Sequence, residues 1–152
     1  SPSMYRDLLK PFHRRLFSVA HELAPQAKVM MHSDGSVFDL LEDLIDAGLE
    51  VLEAVQVDCT NMEPERLKKA FGSRLSFHGA ISVQQLLPRS DAATVERECR
   101  RLVEVLGTGG GFIAAPTHAI QAGTPVDNVL AMLRGILGAE EFERVWGACR
   151  AD

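Results

Sequence analysis

KVMMHSDGSVFDLLEDLIDAGLEVLEAVQVD, residues 28–58, carries the pattern that decides the fold. An apolar run, Lys28 to Asp34, ends in polar residues; a helical stretch follows; a second apolar run, Glu50 to Asp58, ends the same way. The pattern returns in RLSFHG (Arg74 to Gly79) and GFIAAPTH (Gly111 to His118), each again followed by a helical stretch. Strand, loop and helix repeated four times predict a parallel α/β fold. In such folds the site lies at the carboxyl ends of the strands. That rule places His32, Asp34, Asp58, His78 and His118 in one zone.

The intervening segments read as helices. Leu8, Leu9, Phe12, Leu16, Val19 and Leu23 recur at three- and four-residue steps, which predicts a helix over Tyr5 to Leu23 with Pro11 in its first turn. The run from Lys28 to His32 lacks polar alternation, as expected of a strand buried on both faces. Ser36 is expected to cap the next helix, with Phe38, Leu41, Leu44 and Ile45 inward and Gly48 at its end. Strands follow at Val51 to Val55, Leu75 to His78 and Phe112 to Ala115. Between them, Pro64 opens a short helix with Leu67, Ala70 and Phe71 inward and Gly72 at its end. Ser90 is expected to cap a long helix with Val95, Cys99, Leu102, Val103 and Leu106 on one side, ended by Gly107. Thr124 is expected to cap a helix with Pro125 first and Val129, Leu130, Leu133 and Leu137 inward; Ala139 to Cys149 closes the chain. Gly109-Gly110-Gly111 precedes a strand, so it marks a tight turn and not a nucleotide-binding loop.

At 152 residues the chain has the size of one domain, 1–152 with no internal boundary. A closed (β/α)8 barrel needs about 250 residues, so four units make about half of one. Half a barrel leaves two free sheet edges and an open inner face. The expected remedy is either a homodimer that forms a pseudo-barrel or a separate amino-terminal half. A net charge of -5 argues against nucleic acid, which needs a basic stripe. No apolar run approaches the roughly 20 residues needed to span a bilayer. Three widely spaced cysteines fit reduced thiols in a cytoplasm. Ser1-Pro2-Ser3 before Met4 reads as a cloning remnant or the scar of a longer chain.

Several residues could carry chemistry. His32 and Asp34 are two apart at a strand end, and with His118 they form a common ligand set for zinc or another divalent metal. The plain alternative is that His32 bonds the loop and Asp34 caps a helix. His78 could act as general acid or base, or be an ordinary hydrogen-bonded histidine. Gln56 and Asp58 could hold a polar group of a substrate or satisfy loop amides. Gln84, Gln85 and Gln121 lie on the same rim. Cys59 stands near the mouth but reads as a small apolar residue, Cys99 as core, and Cys149 as uninformative. Arg97, Arg100 and Arg101 beside Glu96, Glu98 and Glu104 read as a solvated ion-pair face. The chain has no G-x-S-x-G elbow, C-x-x-C pair or P-loop.

Three segments together carry a resemblance: HSDGSVFDLLEDLIDAGLEVLEAVQ, LKKAFGSRLSFHGAISVQQLLP and GGGFIAAPTHAIQAGTPVDNVLAM. Over Leu9 to Ile136 the chain resembles the carboxyl-terminal half of the uroporphyrinogen decarboxylase superfamily. The resemblance implies a TIM-barrel type α/β fold, with these strands as five to eight of a (β/α)8 barrel. It also implies one of two chemistries. The first is methyl transfer from a corrinoid, with a corrinoid protein as partner, to a thiol or folate acceptor with zinc. The second is cofactor-free decarboxylation of uroporphyrinogen in haem (porphyrin) biosynthesis. In the zinc methyltransferases the ligand pattern is His-x-Cys plus Cys; here those positions read His32, Asp34 and His118, so both thiolates are replaced. In the decarboxylases, His118 matches a porphyrinogen-contacting histidine.

The expectation that leads is a metal-binding, corrinoid-linked methyltransferase-like domain. His32, Asp34 and His118 would be ligands; His78, His118 and Asp58 would be catalytic; Gln56, Gln84 and Gln121 would bind substrate. The alternatives are a decarboxylase and a non-catalytic half barrel that self-assembles.

Overall fold

The computed structural model describes residues 1–149, the side chain of Cys149 excepted. The elements run α1 (Pro2–Leu8), α2 (Lys10–Leu23), β1 (Met30–His32), a 3-10 turn (Phe38–Leu40), α3 (Leu41–Ala47), β2 (Val51–Ala54), α4 (Pro64–Phe71), β3 (Ser76–Ile81), α5 (Leu86–Arg89), α6 (Ala92–Gly107), β4 (Phe112–Pro116), α7 (Val126–Leu137) and α8 (Ala139–Cys149). All four strands are parallel and lie in the order β1-β2-β3-β4. A doubly wound sheet reverses its order at a switch point. This one never does, so the chain winds in a single direction, as around a TIM barrel.

Register separates the two faces. Met31, Leu52, Phe77 and Phe112 are partners across the four strands. Leu52 and Phe77 belong to the core cluster that also takes Leu44 of α3, Leu67 of α4 and Cys99 and Leu102 of α6, and Met31 and Phe112 pack against it. Side chains alternate along a strand, so the next row, His32, Glu53, His78 and Ile113, lies on the opposite face. That face is open: Met30 is 52% and Ile113 54% exposed. The expectation that the first strand is buried on both faces is therefore wrong. Met30 and His32 are exposed, and only Met31 packs against the core.

The amino-terminal helix is two helices and not one. It breaks at Leu9, because the ring of Pro11 cannot join an uninterrupted helix and sits instead in the first turn of α2. Tyr5 and Phe17 are its buried residues, while Phe12 (72%) and Leu23 (82%) of the apolar stripe are exposed. None of the three expected hydroxyl caps forms. Ser36 donates its hydroxyl to the Thr60 carbonyl at 2.6 Å. Asp91, one residue past Ser90, caps α6 by accepting the Thr94 N–H at 2.7 Å. Pro125 occupies the cap position of α7 with no side-chain bond, so Thr124 lies outside the helix. Ala70, Leu133 and Leu137 face solvent and not the core. On α7 the buried residues are Asn128, Ala131, Met132 and Gly135. Gly48 does end α3, with φ 111° in the left-handed region. Gly109, Gly110 and Gly111 all have positive φ, the tight turn into β4 that the triplet predicts. No helix among the described residues is long and apolar enough to cross a membrane.

Candidate functional site at the strand carboxyl ends

The loops after all four strands meet at one end of the sheet. Asp34, Gln56, Val83, Gln84, Thr117, His118 and Gln121 line a cavity of about 310 Å³ there. Five of these, Asp34, Gln56, Gln84, His118 and Gln121, are candidates read from the sequence. Gln56 accepts the Gly35 N–H on its Oε1 at 2.8 Å, which ties the first loop to the second. Thr117 is buried; its N–H donates to the Ile81 carbonyl at 2.8 Å, and its Oγ1 accepts the Val83 N–H at 3.4 Å. Gln121 donates to the Ala119 carbonyl at 2.7 Å. Larger clefts of about 450 and 470 Å³ lie between outer helices, away from the strand ends and from every histidine of the inner face.

His32 ends β1, and His118 lies two residues past β4. Three strand spacings separate β1 from β4, about 14 Å in a flat sheet. Yet the two imidazoles stand edge to face with centroids 6.1 Å apart. The sheet is therefore concave, and its curvature brings the first and last strands to one opening. The Nε2 of His32 is 3.3 Å from Oδ2 of Asp34. Its Nδ1 is 3.5 Å from Oε2 of Glu53.

Two candidates lie elsewhere than expected. His78 does not end its strand: β3 continues to Ile81, so His78 sits mid-strand on the inner face, one strand from Glu53. Its Nδ1 is shielded and has no hydrogen-bond partner; the nearest carboxylate oxygen is Oε1 of Glu53 at 3.7 Å. Asp58 accepts a bond from the Ser82 hydroxyl, and Ser82 Oγ in turn accepts the N–H groups of Gln84 (3.3 Å) and Gln85 (3.0 Å). Asp58, Ser82 and Gln85 line a separate cavity of about 380 Å³ with Arg89 and Glu98. Asp58 thus braces the loop that carries Gln84 and does not face the mouth.

Cys59 is partly buried against the core. Cys99 is fully buried, and burial, with a smaller push from Glu98, raises its thiol to about 12, an inert core thiol. The thiol of Cys149 lies outside the described residues. Arg100 pairs with Glu96, and Arg101 with Glu98 and Glu65, the solvated face expected of them.

The donor set does not fit a metal ion as it stands. Among the described residues, no group of three or more His, Cys, Asp and Glu side chains is arranged to hold one. His32, Asp34 and His118 are neighbours: Asp34 Oδ2 lies 3.3 Å from His32 Nε2, and the two imidazole centroids are 6.1 Å apart.

The singly wound parallel sheet with polar loops gathered at its carboxyl end defines a (β/α) scaffold of the TIM-barrel type. Residues 1–136 match the family model described as uroporphyrinogen decarboxylase (URO-D). The chain belongs to that family. The solved structure of a methyltransferase from Methanosarcina mazei superposes with a TM-score of 0.70 over 90% of this chain at 24% identity, which shows the shared fold. The chain spans 37% of that protein's length. No curated protein matches the sequence.

Proposed function

We propose that the chain supplies strands five to eight of a (β/α)8 barrel that transfers a methyl group from a corrinoid to a thiol or folate acceptor. The observation that carries this reading is the composition of the cavity at the strand ends. It offers three glutamine amides, a threonine hydroxyl, one histidine and one carboxylate, and no Lys or Arg. On this half's side of the cavity a polycarboxylate such as uroporphyrinogen meets no guanidinium or ammonium partner. Amides, a hydroxyl, an imidazole and a single carboxylate suit a small acceptor better. The methyltransferase fold of the structural neighbour points the same way.

In this reading Gln56, Gln84 and Gln121 orient the acceptor, and His118 takes the proton that a thiol releases as its sulfur accepts the methyl group. His32 stands edge to face with His118, outside the cavity lining. A metal held by His32, Asp34 and His118 would need those donors to converge; metal analysis of purified protein, unmutated and His32→Ala, decides that point separately.

The reading includes a partner. β1 and β4 are sheet edges, each beside exposed apolar side chains. The neighbour holds far more chain than the part this protein matches. An amino-terminal half barrel is the occupant proposed, and a second copy of this chain is the alternative outcome of the same measurement.

The test supplies methylcobalamin and a simple alkyl thiol to the chain assembled with an amino-terminal half. Loss of the methylcobalamin spectrum with formation of the methyl thioether is expected, reduced at least tenfold by His118→Ala. Turnover of uroporphyrinogen without methyl transfer would replace this reading with the decarboxylase. Inactivity toward both would leave the non-catalytic half barrel.

A further inference from the structure

We infer that Glu53 is a positioning residue that holds His78 as its Nδ1–H tautomer and so leaves Nε2 as a bare acceptor. The inference goes beyond the proposed site, whose lining includes neither Glu53 nor His78; its geometry stands alone. His32, Glu53 and His78 are successive partners across β1, β2 and β3, on the concave face of the sheet. Glu53 interrupts an otherwise apolar run, Val51 to Val55. Its carboxylate reaches both ways: Oε2 lies 3.5 Å from Nδ1 of His32, and Oε1 lies 3.7 Å from Nδ1 of His78.

The two imidazoles differ in their surroundings. His32 is nearly half exposed and has Asp34 at its other nitrogen. His78 is only 23% exposed, and none of that exposure belongs to Nδ1, which is shielded and unpartnered. A bare lone pair on Nδ1 would face a carboxylate oxygen across a shielded gap and be repelled. A proton on Nδ1 turns the same contact into attraction, and a modest closing of the gap makes it a charge-assisted hydrogen bond. A neutral imidazole carries one proton. Placing it on Nδ1 leaves the lone pair on Nε2, the nitrogen on the less shielded side of the ring. Free histidine prefers the reverse tautomer, so the preference here is imposed by Glu53. A base must have its lone pair free before it can accept a proton. Glu53 would provide that without touching substrate.

Imidazole nitrogen NMR reads the tautomer directly, with no need for turnover. The spectrum is recorded on 15N-labelled protein at alkaline pH, where imidazoles are neutral, and His78 is assigned by loss of its signals in His78→Gln. The expected result is Nδ1 of His78 in the protonated range and Nε2 in the bare range. In Glu53→Met the tautomer ratio should shift toward Nε2–H by at least about tenfold, the effect of losing a hydrogen bond to a charged group. Glu53→Gln, which keeps an oxygen acceptor, should retain most of the original ratio. Unchanged signals from His13, which contacts Tyr5 far from this face, certify the fold. An Nε2–H His78 in the unmutated protein overturns the inference. So does a ratio indifferent to Glu53→Met. Normal methyl transfer with the wrong tautomer would sink this inference and spare the proposed function; the right tautomer with no transfer would do the opposite.

Discussion

Glu50 joins three parts of the chain through one carboxylate. Its Oε1 accepts from Lys28 Nζ at 2.7 Å; its Oε2 accepts from the Val29 N–H at 2.9 Å and meets His21 Nε2 at 2.8 Å. Burial pushes its pKa up, but the Lys28 ammonium, the Val29 N–H and the His21 ring outweigh it and hold the group at about 2, below the ordinary 4.5. A depressed carboxylate stabilises the folded state above its unfolded pKa, and that stability drains as pH falls through the folded value. Glu50→Gln should therefore cost about 1–3 kcal/mol at neutral pH. The gap from the unmutated protein should close as pH falls from about 4.5 toward 2. Urea midpoints across that range measure it; a gap that stays constant refutes the clamp. Ser82 poses a second single-residue case. Its buried hydroxyl joins Asp58 to two loop N–H groups, so Ser82→Ala should cost about 1–3 kcal/mol and loosen Gln84. Broadened Gln84 amide signals would report the loosening.

At the scale of elements, α6 and α7 pack through Gly135. A Cβ placed there would come within 2.5 Å of the Glu96 carbonyl oxygen and 2.8 Å of Cys99 Cβ. In a free helix Gly→Ala gains about 1 kcal/mol. Here the helices would have to separate, so Gly135→Ala should instead destabilise by about 1–3 kcal/mol. Thermal unfolding that rises in the variant contradicts the close packing. Such contacts mark where sequence reading stops. Periodicity located all four strands and the long helices, because apolar spacing along one segment is a local property. It found the glycine ends at Gly48 and Gly72 but not the hydroxyl N-caps, because Ser36 bonds a loop carbonyl and Pro125 takes the cap position beside Thr124, assignments that only the fold makes. It put His78 at a strand end because the glycine after it looked like a stop, whereas pairing with β4 carries β3 on to Ile81. Glu53 is hard to read from the sequence because it is a single charge in a β-run. The available signal was that a lone acid inside a run otherwise apolar on both sides needs a partner. The mouth was the most legible part, since strand ends follow from strands.

For the whole molecule, the two margins decide behaviour in solution. Leu16, Phe17, Ala20, Ala27, Val29 and Met30, with Lys28 the one charged residue, line a largely apolar cleft of about 290 Å³ beside the β1 edge. Leu8, Leu9, Phe12 and Leu23 extend the exposed apolar surface along α1 and α2. Ile113, Val126, Leu133, Leu137 and Val145 form a second exposed set on β4, α7 and α8. Unpaired parallel edges and apolar patches of this extent drive association. At tens of micromolar the chain alone should therefore sediment as a concentration-dependent mixture or dimer and bind a hydrophobic dye. Addition of an amino-terminal half barrel should give one species of defined mass and suppress the dye signal. Leu16→Glu, placed in the cleft beside β1 and away from the cavity at the strand ends, should weaken that assembly while the β2–β3 amides keep their protection from exchange. A monodisperse monomer that ignores both the dye and the added half would show that this half barrel stabilises itself, and the partner would no longer be required.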